Sequence, residues 1–295
     1  MKILWALSHL RTPAGDAFFQ AATWLGEELL LISILCALYW CVNKSLAVQI
    51  AASYVCAGLA VQGLKVTFRI PRPWVLDPGF EPVKSAVPAA TGYSFPSGHT
   101  QGAACLFFPL ALESREKKRK VLFCFLFLLV GFSRMYLGCH TPQDVLASLA
   151  VSLACSILIW NSKDRLFETL QGTARFSLAA AFAAVFLCGY VTWLHASGTV
   201  NAGMASDCFK AAGAALGYAA GRYLEQRYID FQPKDLTFRQ CVIRFAAGLL
   251  ATVLLKFGLD GLLGSTPAGS VVLYALLIFW IIFLYPYCFT KLIPI

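Results

Sequence analysis

The chain has 295 residues, of which 59% are hydrophobic and only 13% are charged, and its mean hydropathy is +0.68. Because a soluble domain is about 45–50% apolar, this composition excludes an ordinary water-soluble fold and predicts a multi-pass membrane protein. The formal net charge of +9 comes from cations spread over many loops, which excludes a nucleic-acid-binding surface. The eleven cysteines include no C-x-x-C pair, so neither a disulfide framework nor a zinc site is indicated.

The first 24 residues have no long apolar core followed by a small-residue cleavage site. They carry His9, Arg11 and Asp16 in a broken pattern. This pattern predicts an interfacial segment rather than a signal peptide.

Nine apolar runs then approach the roughly 20 residues that span a bilayer as a helix. They lie at 25–43, 45–65, 98–113, 119–138, 142–161, 175–195, 202–222, 241–262 and 269–290. They predict an all-α polytopic transmembrane bundle of about nine spans. The third run is short and the seventh is rather polar, so eight spans with one re-entrant piece is the alternative.

Three motifs lie at the ends of these spans. Residues 66–96 contain six of the thirteen prolines and cannot continue either neighbouring helix. The first motif, K-x6-RP at 65–73, therefore leaves the second span, and the second motif, PSGH at 96–99, begins the third. The third motif, SR-x5-H-x3-D at 133–144, lies at the turn between spans four and five. With alternating topology, all three motifs share one membrane face.

The distribution of cations predicts which face this is. The face opposite the motifs carries 14 Lys and Arg residues and the motif face carries seven, three of them within the motifs. By the positive-inside rule, the N-terminus and the motifs lie outside and the C-terminus is cytoplasmic, which agrees with an odd number of spans. The basic run 115–120 is interpreted as a topology-setting loop, with an anionic-lipid patch as the alternative.

A glycine face and a pair of opposite charges distinguish the last four spans from the first five. Gly213, Gly217 and Gly221 give span seven a smooth face along which another helix can approach closely, either within the bundle or in a homodimer. Asp207 and Lys210 are three residues apart on the same helix and are predicted to neutralise one another. A contact with a substrate headgroup is the alternative for this pair.

The cations of the motifs point to phosphate. A phosphoryl group in transfer spreads negative charge over its non-bridging oxygens, so catalysis depends on cations and backbone donors around them. Lys65, Arg72 and Arg134 supply three such charges, and a guanidinium fork matches two phosphate oxygens. Snorkelling at a helix end explains any one of these cations alone. The convergence of three on one face favours a phosphate site.

The second motif reads as a helix start that binds an anion. Ser97 is predicted to be the N-cap of span three, and Gly98 allows the backbone to approach a ligand. The free N–H groups of the first turn favour an anion there. His99 projects from the same turn, with a capping or packing role as the alternative.

The third motif supplies an imidazole and a carboxylate. His140 can attack phosphorus, and Asp144 can hold the far ring nitrogen and fix the tautomer. Thr141, Pro142 and Asp144 also read as N-cap, Pro at N1 and an acid at N3 of a helix. Both roles of Asp144 are compatible.

In this order, the three motifs resemble the signature of the type 2 phosphatidic acid phosphatase superfamily, which also includes vanadium haloperoxidases. They match at every defining position and span 65–144, about a quarter of the chain. The resemblance implies His140 as nucleophile, Asp144 as its orienting acid and His99 as general acid. The residues implied to hold the phosphate are Lys65, Arg72, Ser97, Gly98 and Arg134. No metal or other cofactor is implied, and the sequence offers no convincing carboxylate cluster for Mg²⁺.

The span layout departs from that of common bacterial members, which have six spans with three before the first motif. Here two full spans precede the first motif and four follow the third, as in glucose-6-phosphatase and, more loosely, sphingosine-1-phosphate phosphatases. The predicted division is an interfacial segment at 1–24, a phosphatase core at 25–161 and additional C-terminal transmembrane helices at 162–295.

The sequence therefore predicts an integral-membrane phosphatase of a bacterial plasma membrane or an endomembrane. It would hydrolyse a phosphate monoester or diphosphate of a lipid at the extracytoplasmic leaflet, through a phosphohistidine and without metal. The expected partners are a phosphorylated lipid and the bilayer, and no nucleic acid. A soluble sugar-phosphate phosphatase of the same mechanism and a non-catalytic transporter of lipid headgroups are the alternatives.

Overall fold

The fold is helical throughout the part of the chain that the structure describes. The structure is a computed structural model, and it describes residues 1–233, 236–263 and 266–292. No strand occurs among these residues, which confirms the prediction of an all-α fold.

Twelve α-helices of four or more residues follow one another in the described part of the chain. They are α1 (Lys2–Ser8), α2 (Pro13–Thr23), α3 (Glu28–Ala37), α4 (Lys44–Phe68), α5 (Pro73–Leu76), α6 (Gly98–Glu113), α7 (Lys117–Tyr136), α8 (Pro142–Lys163), α9 (Leu170–Ala196), α10 (Ala202–Tyr228), α11 (Phe238–Leu263) and α12 (Pro267–Phe279). Wider turns extend α3 over Leu38–Val42, α8 over Asp164–Glu168 and α12 to Leu292.

Five helical stretches are long and apolar enough to cross a membrane. They are Lys44–Leu76, Pro142–Glu168, Leu170–Ala196, Phe238–Leu263 and Pro267–Leu292. Pro13–Gly26 and Glu28–Val42 form a sixth if this pair, bent by 48°, counts as one span. These counts refer to the described residues and to length and composition alone. The chain is thus a multi-pass membrane protein.

The predicted count of nine spans is not confirmed, and the reasons lie in three helices. Helix α6 has 16 residues, and at about 1.5 Å per residue it is shorter than the roughly 30 Å apolar core of a bilayer. Helix α7 begins with four basic residues and ends near Arg134. Helix α10 is rich in Gly and Ala and carries charged side chains along its length.

Two compact units make up the protein. The first comprises Met1–Ile32 and Ala60–Ile157, and the second comprises Ser33–Leu59 and the described part of Leu158–Ile295. The boundaries fall inside α3, α4 and α8, so these helices contribute to both units. The three-part division at residues 24 and 161 stays a prediction.

In the first unit, the N-terminal helices pack against the end of α7. The ring of Phe19 lies 4.2 Å from that of Tyr136, centroid to centroid. Arg11 Nε donates to the Tyr136 carbonyl at 2.9 Å, and the backbone N–H of Thr12 donates to the Tyr136 hydroxyl at 3.2 Å. The segment predicted to be interfacial is thus also part of a packed core.

In the second unit, α10 and α12 meet backbone to backbone. A Cβ atom on Gly213 or Gly217 would collide with the carbonyl oxygen of Val271 or Ala275. Gly213 and Gly217 are therefore used for packing within the chain, as one of the two interpretations predicts, and the homodimer stays a prediction. The predicted ion pair between Asp207 and Lys210 is confirmed, with 3.0 Å between Oδ1 and Nζ.

A buried ion cluster also lies in the second unit. Lys44 Nζ is 2.7 Å from Glu225 Oε1, and Arg222 binds the other carboxylate oxygen of Glu225 at 2.7 Å. Lys44 and Arg222 are among the 14 cations assigned to the face opposite the motifs, but both are buried against this carboxylate. They join the beginning of α4 to the end of α10.

The close approach of α10 and α12 predicts the effect of adding one methyl group. We expect Gly217→Ala to lower the melting temperature of the purified protein in detergent, because the helices must separate and overpacking costs about 1–3 kcal/mol. Gly189→Ala in α9 is the matched control, since no described atom lies within 4 Å of its added Cβ. In a helix interior this replacement otherwise stabilises by about 0.5–1 kcal/mol. Equal melting temperatures for the two variants would contradict the backbone contact.

Candidate active site

The second motif is held by a helix cap, as the sequence predicts. Helix α6 begins at Gly98, and Ser97 Oγ accepts hydrogen bonds from the backbone N–H of Thr100 at 3.4 Å and from its hydroxyl at 2.9 Å. The backbone of Ser97 also contacts α8: its N–H donates to the Asp144 carbonyl at 3.1 Å, and its carbonyl accepts from the Ser148 hydroxyl at 2.7 Å. The second and third motifs are thus joined directly.

The predicted helix start at the third motif is also present. Helix α8 begins at Pro142. Asp144 Oδ2 accepts from the backbone N–H of Thr141 at 2.8 Å, and the backbone N–H of Asp144 faces the Thr141 hydroxyl at 3.4 Å. The same Oδ2 atom accepts from the Ser94 hydroxyl at 2.6 Å and lies 3.5 Å from His140 Nδ1. One carboxylate oxygen therefore caps a helix and faces the imidazole.

The contacts of His140 fix its tautomer. Arg72 NH1 lies 2.8 Å from His140 Nε2. A guanidinium group can only donate, so Nε2 is the acceptor and the ring proton resides on Nδ1, facing Asp144. The lone pair of Nε2 accepts the hydrogen bond from Arg72, and an unprotonated Nε2 is the form that a nucleophile requires.

The ionisation of His140 follows from its surroundings. The ring is 1% exposed. Burial, with the nearby charges of Arg72, Arg134 and Lys65, lowers the pKa of His140 well below its ordinary value. The imidazole is therefore neutral at physiological pH.

Carbonyl groups of the loop before the second motif hold two of the cations. Arg72 donates through Nε to the carbonyl of Gly92 at 3.2 Å, through NH1 to that of Cys139 at 3.2 Å, and through NH2 to that of Thr91. Lys65 Nζ donates to the carbonyl of Tyr93 at 3.1 Å. The loop thus fixes the position of both cations beside His140.

Arg134 has guanidinium N–H groups that donate to no described residue. Its side chain is fully buried, and NH1 donates to the Thr23 hydroxyl at 3.0 Å. The Nε and NH2 atoms are buried and have no hydrogen-bond partner among the described residues. Since an unsatisfied buried donor costs about 1–3 kcal/mol, this pair of N–H groups matches an anion that accepts both.

Gly98 and His99 complete the set of predicted site residues. No described atom lies within 4 Å of a Cβ built on Gly98, so the backbone of this first helical turn faces open space. His99 Nε2 lies 2.9 Å from Glu27 Oε1. His99 is also among the charges that act on His140, together with Lys65 and Arg134. All eight predicted site residues lie in the first unit.

Sequence reasoning missed four contacts of this site. Ser94 binds Asp144, Thr23 binds Arg134, Glu27 binds His99, and the carbonyls of 91–93 bind the two cations of the first motif. Ser94, Thr23 and the loop carbonyls carry no sequence signal of this kind. Glu27 offers one, because an ionisable residue within an apolar run has a functional reading by default.

Two family models match the chain, and both describe the same superfamily. Residues 46–168 match the PAP2 superfamily, and residues 209–294 match the transmembrane extension of PAP2 superfamily phosphatases. The chain belongs to the PAP2 superfamily. The first match contains all three motifs, and the second covers most of α10 to α12.

Curated relatives and a solved structure show similar stretches. The chain is 37% identical to undecaprenyl-diphosphatase of Bacillus subtilis over 37% of this chain and 54% of the relative. It is 35% identical to a probable sphingosine-1-phosphate phosphatase of Dictyostelium discoideum over 56% of this chain and 42% of the relative. The crystal structure of LpxE from Aquifex aeolicus aligns with a TM-score of 0.45 and 22% identity, over 54% of this chain and 93% of that chain. The chain spans about half the length of the curated relatives it matches.

The lowered pKa of His140 predicts its protonation state at acidic pH. With ¹⁵N-labelled histidine in detergent micelles, we expect the His140 ring to remain neutral with its proton on Nδ1 at pH 5.5. Free imidazole in the same sample would be mostly protonated there, since an unperturbed histidine has a pKa of about 6.5. The signal is assigned by its loss in His140→Ala. An imidazolium signal for His140 at pH 5.5 would contradict the geometry described here.

The unpartnered donors of Arg134 predict a loss of anion affinity in Arg134→Lys. A lysine keeps the charge but not the fork, and a hydrogen bond to a charged group contributes about 1.5–3 kcal/mol. We therefore expect vanadate to bind about 10–100-fold more weakly, as measured by calorimetry. Arg119→Lys is the control, because Arg119 lies at the exposed beginning of the same helix. Unchanged affinity in Arg134→Lys would show that this guanidinium does not bind the anion.

Proposed function

We propose that this protein is an integral-membrane phosphatase that hydrolyses a phosphate monoester or diphosphate of a lipid. The observation that carries the proposal is the neutral His140 imidazole, whose Nε2 lone pair lies among Arg72, Lys65 and Arg134. A nucleophile placed among cations at this distance is suited to an electrophilic, anionic phosphorus centre.

In the proposed first step, His140 Nε2 attacks phosphorus and the ester P–O bond breaks. The electron pair of that bond stays on the leaving oxygen, which takes a proton from His99. The phosphoryl group is then bound to His140 Nε2, and Asp144 stabilises the positive charge that forms on the ring. Arg72, Arg134, Lys65 and the N–H groups at the start of α6 bind the non-bridging oxygens.

In the second step, water attacks phosphorus and the N–P bond breaks. His99, now neutral, accepts the proton of the water. Inorganic phosphate leaves, and both imidazoles return to their starting forms. The residues of this chain supply all of the groups in the two steps, so the reaction is proposed to proceed without metal.

Two further features support a lipid as the substrate. Two of the relatives are an undecaprenyl-diphosphatase and a probable sphingosine-1-phosphate phosphatase. The helices of this protein also expose large apolar side chains, as expected for a chain in contact with lipid tails. The proposed orientation, with the site and the N-terminus outside and the C-terminus in the cytoplasm, rests on the distribution of cations.

The decisive test is phosphate release by the purified protein in mixed micelles. We expect turnover of a lipid phosphate in the presence of EDTA, inhibition by vanadate, and a fall of at least about 10⁴-fold in His140→Ala, as for removal of a nucleophile. His9→Ala is the control, because His9 is an exposed imidazole outside the site. Full activity of His140→Ala would reject the mechanism.

The same assay separates the alternatives. Turnover of glucose 6-phosphate in preference to a short-chain phosphatidate would favour a soluble substrate. Headgroup flux in vesicles that persists in His140→Ala would favour a transporter that binds phosphate without cleaving it.

A further inference from the structure

A carboxylate lies against the imidazole that the proposed mechanism uses as proton donor. Glu27 Oε1 is 2.9 Å from His99 Nε2. None of the three motifs contains Glu27, which precedes α3 and lies far from them in sequence. A carboxylate can only accept when ionised, so Nε2 of His99 carries a proton in this contact.

Close backbone packing fixes this contact. A Cβ atom on Gly26 would lie 2.5 Å from the carbonyl oxygen of His99, and one on Gly102 would lie 3.0 Å from the carbonyl oxygen of Gly26. The absence of side chains at these two glycines therefore lets the turn Trp24–Gly26 lie directly on the first turns of α6. The side chain that follows the turn is consequently held beside His99.

We propose that Glu27 is the positioning residue of the proton donor: its carboxylate orients His99 and stabilises the imidazolium that protonates the leaving oxygen. This inference rests on the proposed phosphatase function. In this proposal, each imidazole of the site has its own carboxylate partner: Asp144 faces His140, and Glu27 faces His99.

The charges around His99 explain why such a partner is needed. Burial, together with the charges of Arg134 and Lys65, lowers the pKa of His99 to about 4, whereas Glu27 raises it. The imidazolium form therefore requires negative charge beside the ring, from Glu27 and from a bound phosphate. Glu27 acts on His99 and is itself close enough to Arg134 to be affected by its charge. A carboxylate beside a phosphate would repel it, so its place at His99 suits the leaving-group side of the substrate rather than the phosphate itself.

In the proposed reaction, His99 gives up one proton and later takes one back, both through Nδ1. The His99 imidazolium gives its Nδ1 proton to the leaving oxygen as the P–O bond breaks, and the neutral ring keeps the Nε2 proton that Glu27 holds. In the second step, Nδ1 takes a proton from the attacking water. Glu27 remains ionised throughout and exchanges no proton.

The test compares two substrates that differ in their need for a proton. An alkyl phosphate leaves as a strongly basic alkoxide and requires the donor, whereas p-nitrophenyl phosphate leaves as a weakly basic phenolate and requires it little. General acid catalysis contributes about 10²–10⁴-fold, and we expect Glu27→Gln to lower kcat/KM for the alkyl phosphate about 10–100-fold. The loss for p-nitrophenyl phosphate should be less than about threefold. His99→Ala should show the same pattern with a larger loss.

The control is Glu28→Gln, which removes the neighbouring exposed carboxylate. It should leave both substrates unaffected. Glu27→Asp, which keeps the charge, should recover part of the alkyl phosphate activity. Equal losses for both substrates in Glu27→Gln would show a merely structural role, and no loss for either would show that the contact is not used.

The pH dependence gives an independent readout. Removing the carboxylate makes the imidazolium lose its proton more readily, so the alkaline limb of kcat/KM for the alkyl phosphate should move to lower pH in Glu27→Gln. An unmoved limb would overturn the proposal. If the wild-type protein releases no phosphate from any substrate, the proposed function itself fails. If the wild type is active and its leaving-group dependence is unchanged in Glu27→Gln, only this inference fails.

Discussion

The site depends on one carboxylate oxygen. Asp144 Oδ2 accepts from the backbone of Thr141 and from the Ser94 hydroxyl, and it faces His140 Nδ1. The first contact caps α8, the second ties this helix to the loop that leads into the second motif, and the third places Oδ2 3.5 Å from Nδ1 of the proposed nucleophile. A carboxylate that is already used as a helix cap has little freedom to rotate, and the hydrogen bond from Arg72 to Nε2 fixes the tautomer, so the imidazole is oriented before a substrate arrives.

That orientation matters because the surrounding charges are of one sign. Lys65, Arg72 and Arg134 are all buried, and the Nε and NH2 atoms of Arg134 have no hydrogen-bond partner among the described residues. Burial of like charges is costly unless an anion is bound. Burial, together with the same cations, keeps His140 neutral, and these cations are the proposed phosphate ligands. One arrangement would thus provide both the reactive form of the proposed nucleophile and the affinity for its target. A site built in this way should gain stability when phosphate or vanadate binds.

Local sequence patterns predicted the parts of the site that are governed by local chemistry. The Ser97 cap and the start of α8 at Pro142 follow from residues within a single helical turn, and both are present. The partners Glu27 and Ser94 could not be predicted in the same way. Each depends on how distant segments pack: Glu27 reaches His99 only because Gly26 allows a backbone turn to lie on α6.

The number of membrane spans was also difficult to predict from the sequence. Hydropathy counts apolar residues and cannot tell a helix that faces lipid from one that faces protein. Helix α6 is apolar, yet much of it is buried within the chain, and it is short for a bilayer. Helix α10 is buried along a glycine face and carries Arg222 and Glu225, which neutralise one another. Both helices were predicted to be membrane spans because burial in protein and burial in lipid favour similar residues.

The buried ion cluster also bears on the proposed orientation. The positive-inside rule concerns cations in loops, and Lys44 and Arg222 are instead paired with Glu225 in the interior of the second unit. Lys65, Arg72 and Arg134 are likewise buried in the site rather than exposed in loops. Residues 115–120, which contribute five of the remaining cations, lie opposite the motifs only when α6 and α7 both cross the bilayer, and neither is among the stretches long and apolar enough to do so in the described residues. The orientation with the site outside therefore stays a prediction, and it requires both α6 and α7 to cross the bilayer.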